Sequence, residues 1–361
     1  MERRSFLKKT AVGVAAGAVA VPTLVQAAPT LNWRLASSFP KSLPILFGAA
    51  EKFAARVKDL TEGKFNIRIF AAGEIVPGTQ VLDAVQAGTV EIGHTASYYY
   101  FGKDPTLAFD TAVPFGLSSR QQCAWMLHGN GLKLMREVLA EYNIINFMGG
   151  NTGTQMGGWF RKEIKTVNDL KGLKFRVGGF AGRVLTKLGV VPQQIAGGDI
   201  YAALEKGTID ATEWVGPVDD EKLGFSKVAK YYYYPGWWEG GAQLSFYVGK
   251  KEWDKLPKLY QDAIEIASLE AHMDMQANYD AKNPAALARL LQSGVQLKPF
   301  PPAVMEACFK ASQETFTEEA AKNPKFKKVY DDWKVFRNNQ GQWFNLAEGA
   351  FDRFSFIRPL K

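Results

Sequence analysis

The chain has 361 residues, a formal net charge of +8 at pH 7, two cysteines and three histidines. This length predicts two domains rather than one core, and two cysteines exclude a framework of several disulfides. Four basic residues and Glu2 lie before residue 28, so the net charge of the rest is about +5. No dense Lys/Arg run follows, which makes nucleic acid a poor candidate as a partner.

The first 27 residues have the pattern of an export signal. A basic start is followed by an apolar run over 11–25 and by small residues up to Ala27. The run is too short and too interrupted for a transmembrane helix, so the sequence predicts a signal peptide over 1–27 and a periplasmic protein. The stretch RRSFLK, which begins at Arg3, resembles a twin-arginine export signal.

Strand-like and helix-like segments alternate after the leader. Residues 31–38 and 65–70 have the pattern of strands, and 46–60 has apolar residues at helical spacing. Further along, the pattern predicts a helix over 81–86, strands over 89–94 and 143–148, and a long helix over 118–142 that Gly129 and Gly131 weaken. This order predicts an α/β lobe over 28–150 with a parallel or mixed sheet.

The alternation continues and predicts a second α/β lobe over 151–250. Its predicted strands are 174–177, 190–195, 211–215 and 243–248, and its predicted helices are 182–188 and 200–206. The range 251–361 is rich in Ala and Leu and predicts helices over 259–283 and 303–321 and from 342 onwards, with a kink or break at Pro284. Two lobes without a flexible linker predict a hinge, with a ligand bound between them near the carboxyl ends of the strands.

The common enzyme motifs are absent from the sequence. It has no dinucleotide-binding glycine motif, no P-loop, no nucleophile elbow, no C-x-x-C and no H-E-x-x-H. His94 is interpreted as a hydrogen-bonded structural histidine rather than a ligand-binding one. Cys123 and Cys308 are interpreted as small buried residues rather than a disulfide.

A few polar residues predict a recognition site instead. Arg176 ends a predicted strand before two glycines, where a guanidinium has room to bind a carboxylate through two hydrogen bonds. A surface arginine or a salt bridge is an open alternative. Asn151 and Gln155 carry amides that could bind a ligand or serve an ordinary turn. Glu213 and Trp214 interrupt an apolar, β-rich segment where a carboxylate is unexpected.

Five stretches carry a resemblance to a known family: WRLASSFPKSL, HTASYYYFGKDPT, GGNTGTQMGGWFRKEI, GDIYAALEKGTIDATEW and YYYYPGWWEGG. They resemble the solute-binding proteins of tripartite ATP-independent periplasmic (TRAP) transporters, and most closely the branch that binds 2-oxo acids such as pyruvate. The resemblance implies a hinged, two-lobe α/β periplasmic binding protein of the Venus-flytrap type. It implies a long lobe-spanning helix, a helical C-terminal tail that forms a homodimer, and the small and large membrane subunits of a permease as partners. It implies no catalysis.

The resemblance also implies roles for individual residues. Arg176 would bind the carboxylate of a small organic acid anion, and Asn151 and Tyr99 would bind its other oxygens. Glu239 would lie near the ligand, and Thr95 is a further ligand-binding candidate. A cation would be held by three residues, namely Gln155, Glu213 and the backbone carbonyl of Trp214.

Charge counting favours Na⁺ as the cation. Arg176 neutralises a 2-oxo monocarboxylate, and Glu213 then leaves one negative charge, which is costly to bury without a counterion. If Glu239 is ionised as well, Ca²⁺ fits better, and a 2-hydroxy acid such as lactate bound with Ca²⁺ is the alternative ligand. Two other classes stay open from the residues alone: a periplasmic glycosidase that uses Glu213 and Glu239 as its acid and base, and a receptor domain for a signalling kinase.

Overall fold

The structure is a computed structural model that describes residues 29–358, so the predicted signal peptide lies outside the described residues. The strands in this range are β1 Leu31–Ser37, β2 Phe65–Phe70, β3 Ile92–Thr95, β4 Ile144–Asn151, β5 Gly158–Phe160, β6 Lys174–Arg176, β7 Val191–Gln193, β8 Ala211–Thr212, β9 Tyr231–Tyr234, β10 Gln243–Gly249 and β11 Gln296–Pro299. The α-helices are α1 Leu46–Leu60, α2 Val81–Gln86, α3 Ser119–His128, α4 Gly131–Ala140, α5 Gly179–Lys187, α6 Ile200–Glu205, α7 Pro217–Leu223, α8 Lys250–Trp253, α9 Lys258–Gln292, α10 Pro302–Lys322, α11 Pro324–Leu346 and α12 Glu348–Ser355.

The strands form two sheets, one in each lobe. The first sheet has the order β2-β1-β3-β10-β4, in which β1, β2 and β3 are parallel and β10 is antiparallel to both of its neighbours. The second has the order β11-β9-β5-β8-β6-β7 and mixes parallel with antiparallel pairs. The predicted two-lobe α/β fold is confirmed.

Strand β10 lies in a different lobe from the one predicted. Residues 243–249 fall within the range 151–250 assigned to the second lobe, yet they pair with β3 and β4 of the first sheet. The strand fills the space between β3 and β4, whose buried backbone groups would otherwise lack partners. Strand β11 departs from the predicted ranges as well. It lies in the range 251–361, for which only helices are predicted, yet it pairs with β9 of the second sheet. The predicted ranges therefore do not describe which residues form each sheet.

The predicted long helix over 118–142 consists of two helices, α3 and α4. Gly129 caps α3, and a Cβ at this position would lie only 2.7 Å from the Trp125 backbone oxygen. Helix α4 then begins at Gly131. The glycine pair therefore ends one helix and starts the next, because no larger residue fits against Trp125.

Helix α9 is a continuous helix of 35 residues that contains Pro284. The sequence predicts a kink or a break at this proline, and no break occurs, since the helix continues to Gln292. It packs on α1 and β4 in the first lobe and on α7 in the second. These contacts offset the backbone hydrogen bond that a proline removes. No helix between residues 29 and 358 combines the length and apolarity needed to cross a membrane.

Both buried histidines belong to the packing around β4. The His94 ring stacks on Phe246, and its Nε2 lies 2.9 Å from the Gly149 carbonyl oxygen, which confirms its structural interpretation. His272 is buried on α9. Burial lowers the pKa of His94 to about 4 and that of His272 to about 4. Cys123 and Cys308 are unpaired, as predicted.

These two histidines predict a loss of stability in acid. A histidine whose pKa is lower in the folded chain stabilises the fold fully above pH 6.5, and this contribution is lost as pH falls towards 4. Each should lower the free energy of unfolding by about 3 kcal/mol at the lower pH. Denaturant unfolding across this range should show a shallower pH dependence for His272→Gln than for the wild type. His128→Gln, an exposed position, is the control, and equal slopes for the His272 variant and the wild type would contradict the prediction.

Candidate functional site

Arg176 and Glu213 meet at one edge of the second sheet. Strands β6 and β8 are parallel neighbours in which Arg176 lies opposite Thr212, so their carboxyl ends are side by side. Arg176 is the last residue of β6, and Glu213 directly follows β8. The strand register therefore places a guanidinium beside a carboxylate from a distant part of the sequence.

The two side chains form a buried pair with several hydrogen bonds. Arg176 Nη1 donates to Glu213 Oε1 at 2.5 Å and to the Glu213 backbone oxygen at 2.7 Å. Nε donates to the Ile195 carbonyl at 3.2 Å, and the Gly178 amide donates to Glu213 Oε1 at 3.1 Å. The side chains are 2% and 1% exposed. Among the described residues, Nε and Nη1 of Arg176 have acceptors and Nη2 has none, so Nη2 is the guanidinium nitrogen that is free to bind a ligand.

The environment sets the charges of these groups. Burial lowers the pKa of Arg176, but the charge of Glu213 raises it above its ordinary value, so the guanidinium stays charged. Burial raises the pKa of the Glu213 carboxyl, and the guanidinium opposes the rise. Burial raises the pKa of Glu239 well above its usual range, and the charge of Glu213 adds to this. The group therefore consists of an ion pair beside a carboxyl that favours its protonated form.

Gln155 and Glu239 lie on two chain segments that cross between the lobes, and Asn151 is the last residue before the first of them. One segment connects β4 with β5 and the other connects β9 with β10. The backbone N–H of Gln155 donates to the backbone oxygen of Glu239 at 3.1 Å. The backbone N–H of Gly236 donates to the backbone oxygen of Gln155 at 2.9 Å. The Met156 amide in turn donates to the Val215 carbonyl at 3.0 Å. The crossing segments therefore run beside each other and beside the segment that contains Glu213 and Trp214.

Several oxygen atoms in this region lack hydrogen-bond donors. Gln155 Oε1, Glu213 Oε2 and Glu239 Oε2 are buried without a partner. The Trp214 carbonyl oxygen accepts no hydrogen bond from any residue of the described chain. Leaving such groups unpaired costs about 1–3 kcal/mol each. Carboxylate, amide and backbone oxygens together are the ligands that hard cations prefer, so this set fits the predicted cation site.

The oxygen set differs from the usual metal-binding clusters. Within residues 29–358, no group of three or more His, Cys, Asp or Glu side chains could hold a metal ion. Here an amide and a backbone carbonyl accompany the carboxylate, which is a ligand set suited to Na⁺ or Ca²⁺ rather than to a transition metal.

Trp214 covers the ion pair. Its ring lies 5.0 Å from the Arg176 guanidinium carbon, and its far edge packs on Gly197. A Cβ at Gly197 would lie 2.4 Å from the indole Cη2, so only glycine fits there. The indole is thereby fixed over the guanidinium and keeps water from that face.

The first lobe contributes Tyr98 and Tyr99. Tyr98 packs on Gly178 and Gly179, where a Cβ at either glycine would lie 2.9 Å from its side chain. Burial raises the pKa of Tyr99, and the positive charge of Arg176 opposes this rise. The sequence analysis did not single out Tyr98, because three consecutive tyrosines give no sign of which ring faces the second lobe.

Thr95 belongs to a different set of contacts. Its hydroxyl accepts a hydrogen bond from Ser38 Oγ at 2.6 Å and pairs with the Tyr100 hydroxyl at 2.8 Å, both within the first lobe. A ligand-binding role for Thr95 therefore gains no support from the structure. The other seven predicted residues lie on the neighbouring segments described above.

Known solute-binding proteins are similar to this chain over most of its length. The profile of the bacterial extracellular solute-binding proteins of family 7 matches residues 36–323. The monocarboxylate 2-oxoacid-binding periplasmic protein of Nostoc sp. is 51% identical, in an alignment that covers 98% of this chain and 99% of that protein.

Two solved structures have closely similar folds. A TRAP transporter solute-binding protein from Bordetella bronchiseptica is a mixed-occupancy dimer with copurified calcium and picolinate. It is 54% identical to this chain, with a TM-score of 0.90, and the match covers 91% of this chain and 98% of that one. A TRAP periplasmic solute-binding protein from Pseudoalteromonas atlantica, with bound sodium and pyruvate, is 42% identical, with a TM-score of 0.87 and coverage of 89% and 98%. The chain therefore belongs to bacterial extracellular solute-binding protein family 7, as a solute-binding protein of the TRAP transporters and not an enzyme.

Proposed function

We propose that this protein binds a 2-oxo monocarboxylate such as pyruvate, together with one cation, between its lobes in the periplasm. TRAP solute-binding proteins bind small organic acid anions and work with membrane permease subunits, so the bound acid would pass to the small and large subunits of such a permease. The observation that carries the proposal is the buried Arg176 guanidinium, whose Nη2 has no acceptor among the described residues, beside buried oxygen atoms without partners.

The relatives support this ligand class through shared chemistry. Picolinate and pyruvate both carry a carboxylate next to a second electron-pair donor, a ring nitrogen in one and a keto oxygen in the other. The relatives bind these acids with calcium and with sodium respectively. A carboxylate with an adjacent donor can contact an arginine and a cation at the same time.

In this proposal each predicted residue has a separate task. Arg176 binds the carboxylate, and Asn151 and Tyr99 hydrogen-bond the remaining ligand oxygens. The residues that would hold the cation are Gln155, Glu213 and Trp214, the last through its backbone carbonyl. The cation would supply the positive charge that the monoanion and Glu213 together require.

The charge balance favours Na⁺ while Glu239 is protonated. Arg176 and Glu213 offset each other, and a bound monoanion adds one negative charge to a buried site, which a monovalent cation neutralises. Ca²⁺ would need one more negative charge, and the adjacent Glu239 is the group that could provide it by ionising. The high pKa of Glu239 therefore supports sodium as the first choice.

A binding protein returns its ligand unchanged, so no bond has to break. In this proposal the functional event is the closure of the two lobes on the ligand. The site combines second-lobe residues with Tyr98 and Tyr99 from the first lobe and with the two crossing segments. Ligand contacts to both lobes would stabilise the closed arrangement, which a permease can distinguish from the open one.

Two further parts of the proposal concern export and assembly. The predicted signal peptide, with its twin-arginine pattern, supports export to the periplasm. The C-terminal helices leave large apolar side chains in contact with solvent, which supports a homodimer formed through this tail. The exposed residues are Trp343, Leu346, Phe351, Phe354, Phe356 and Ile357.

Calorimetry on cation-free protein tests the ligand and the cation together. Pyruvate should bind with a micromolar Kd, or about −8 kcal/mol, in the presence of Na⁺. Removing Na⁺ should weaken binding at least about tenfold. Glu213→Gln should abolish this dependence because it removes a charge from the cation site, whereas Glu62→Gln, at a position 85% exposed, should not. Binding of lactate with Ca²⁺ but not of pyruvate would overturn the ligand, and binding of neither would overturn the site.

Gly178→Ala tests lobe closure. The added Cβ would lie 2.9 Å from Tyr98 Cε2 across the two lobes, so the closed arrangement should become less favourable. We expect pyruvate affinity to fall about tenfold, or about 1.4 kcal/mol, in calorimetric titrations. Gly102→Ala is the matched control, because a Cβ there meets no atom within 4 Å. Unchanged affinity in the Gly178 variant would mean that this contact does not limit closure.

The double variant Phe351→Asp/Phe354→Asp tests the dimer. Two charges on the exposed apolar tail should prevent its burial against a second copy, so light scattering should give the mass of a monomer. Pyruvate binding should persist, since the tail lies apart from the site. Asn339→Asp on α11 adds a charge at an exposed position outside the apolar tail and should leave the dimer intact. A dimer that survives the double variant would refute assembly through the tail.

A further inference from the structure

The segment that follows β7 is held against Arg176 by its backbone. The backbone N–H of Val177 donates to the Gln193 backbone oxygen at 3.2 Å. Arg176 Nε donates to the Ile195 backbone oxygen, also at 3.2 Å. The backbone on both sides of Gln194 is therefore fixed to the end of β6, while the Gln194 side chain is exposed.

The Gln194 side chain reaches the first lobe. Its Nε2 donates to the Tyr99 backbone oxygen at 2.9 Å. Gln194 follows a strand of the second sheet, whereas Tyr99 lies on a short helical turn, Ser97–Tyr100, just after β3 of the first sheet. The hydrogen bond therefore joins the two lobes, and it does so one residue away from the carbonyl that holds Arg176.

The turn that carries Tyr99 is anchored at both of its ends. At its start, the Ser97 hydroxyl donates to Oδ2 of the buried Asp110. At its end, the Tyr100 hydroxyl accepts from the backbone N–H of Leu82 at 3.0 Å. All these partners belong to the first lobe, so the turn moves with that lobe and presents the Tyr99 backbone oxygen in a fixed position.

Two further contacts between the lobes involve residues on either side of Tyr99. Phe101 packs edge-on against Phe180 of α5, with the ring centroids 5.3 Å apart. On the other side, Tyr98 packs on Gly178. The hydrogen bond from Gln194 adds a directional contact to this surface, and these contacts must separate when the lobes open.

We propose that Gln194 is a positioning residue that retains the bound acid in the site. Its hydrogen bond to the Tyr99 backbone forms when the lobes close and has to break before the acid can leave. The contact slows dissociation and holds the Tyr99 segment next to Arg176. It has no effect on the first encounter with the acid, which takes place while the lobes are apart. This inference rests on the proposed function, because closure on an acid gives the contact its task.

The alternative is that the hydrogen bond only stabilises the segment after β7, and the dissociation rate separates the two roles. Gln194→Met keeps the length of the side chain and removes the amide donor. Stopped-flow tryptophan fluorescence at saturating Na⁺ should show pyruvate dissociating about fivefold faster, the effect expected for one neutral hydrogen bond. The association rate constant should stay within about twofold of the wild type, and the Tm of the ligand-free protein should not change.

Gln193→Met is the matched control. It changes the same residue type at the adjacent position, where the backbone oxygen and not the side chain makes the contact with Val177. Both of its rate constants should stay within about twofold of the wild type. A second variant, Gln194→Ala, should accelerate dissociation by a factor similar to that of Gln194→Met, because the amide and not the aliphatic part of the side chain makes the contact.

The outcomes separate this inference from the proposed function. If the wild type binds pyruvate and Gln194→Met releases it at the wild-type rate, the role of Gln194 is wrong while the proposed function stands. Faster dissociation with a lower Tm of the ligand-free protein, or equally fast dissociation from Gln193→Met, would also overturn the inference. If lactate binds instead of pyruvate, the same rates measured with lactate decide the role. If neither acid binds with any cation, the proposed function fails and the role of Gln194 fails with it.

Discussion

The buried contact between Arg176 and Glu213 is the interaction on which the site depends. An arginine with almost no exposure is stable only with a partner charge and well-placed acceptors, and Glu213 and the Ile195 carbonyl provide them. The contact also fixes the guanidinium in one orientation, in which Nη2 has no acceptor among the described residues. Binding of an acid then requires little ordering of the protein, which preserves affinity. The parallel pairing of β6 with β8 creates this contact, so the second sheet is the scaffold of the site.

The crossing segments explain why the site lies between the lobes. Gln155 and Glu239 join different sheets through adjacent stretches of chain that hydrogen-bond to each other. A movement of one lobe relative to the other must change the backbone at these stretches. Of the three candidate cation ligands, Gln155 lies on such a stretch, so a cation bound there would contact the part of the chain that has to bend.

Local patterns in the sequence predict much of the fold and less of the site. Helix α1 and strand β2 have the predicted bounds because their apolar residues follow one clear period. Sheet membership depends on pairing between distant residues, so the position of β10 has no comparable local signal. The strands β5, β9 and β11 have only three or four residues each, too few to show a clear period. The residues Arg176 and Glu213 could be named from their types and the family resemblance. Their direct hydrogen bond needs the β6–β8 register, and the role of Tyr98 needs the packing of one lobe on the other.

The position of β10 has a consequence for how the chain acquires its structure. The first sheet lacks its fourth strand until residues 243–249 are available, so β3 and β4 each keep an open edge while most of the second lobe is being made. Open edges can pair with other chains, and pairings between such distant residues form slowly. Neither lobe can therefore be produced as an uninterrupted fragment. A newly made chain is most vulnerable to aggregation before residues 243–249 have paired with β3 and β4.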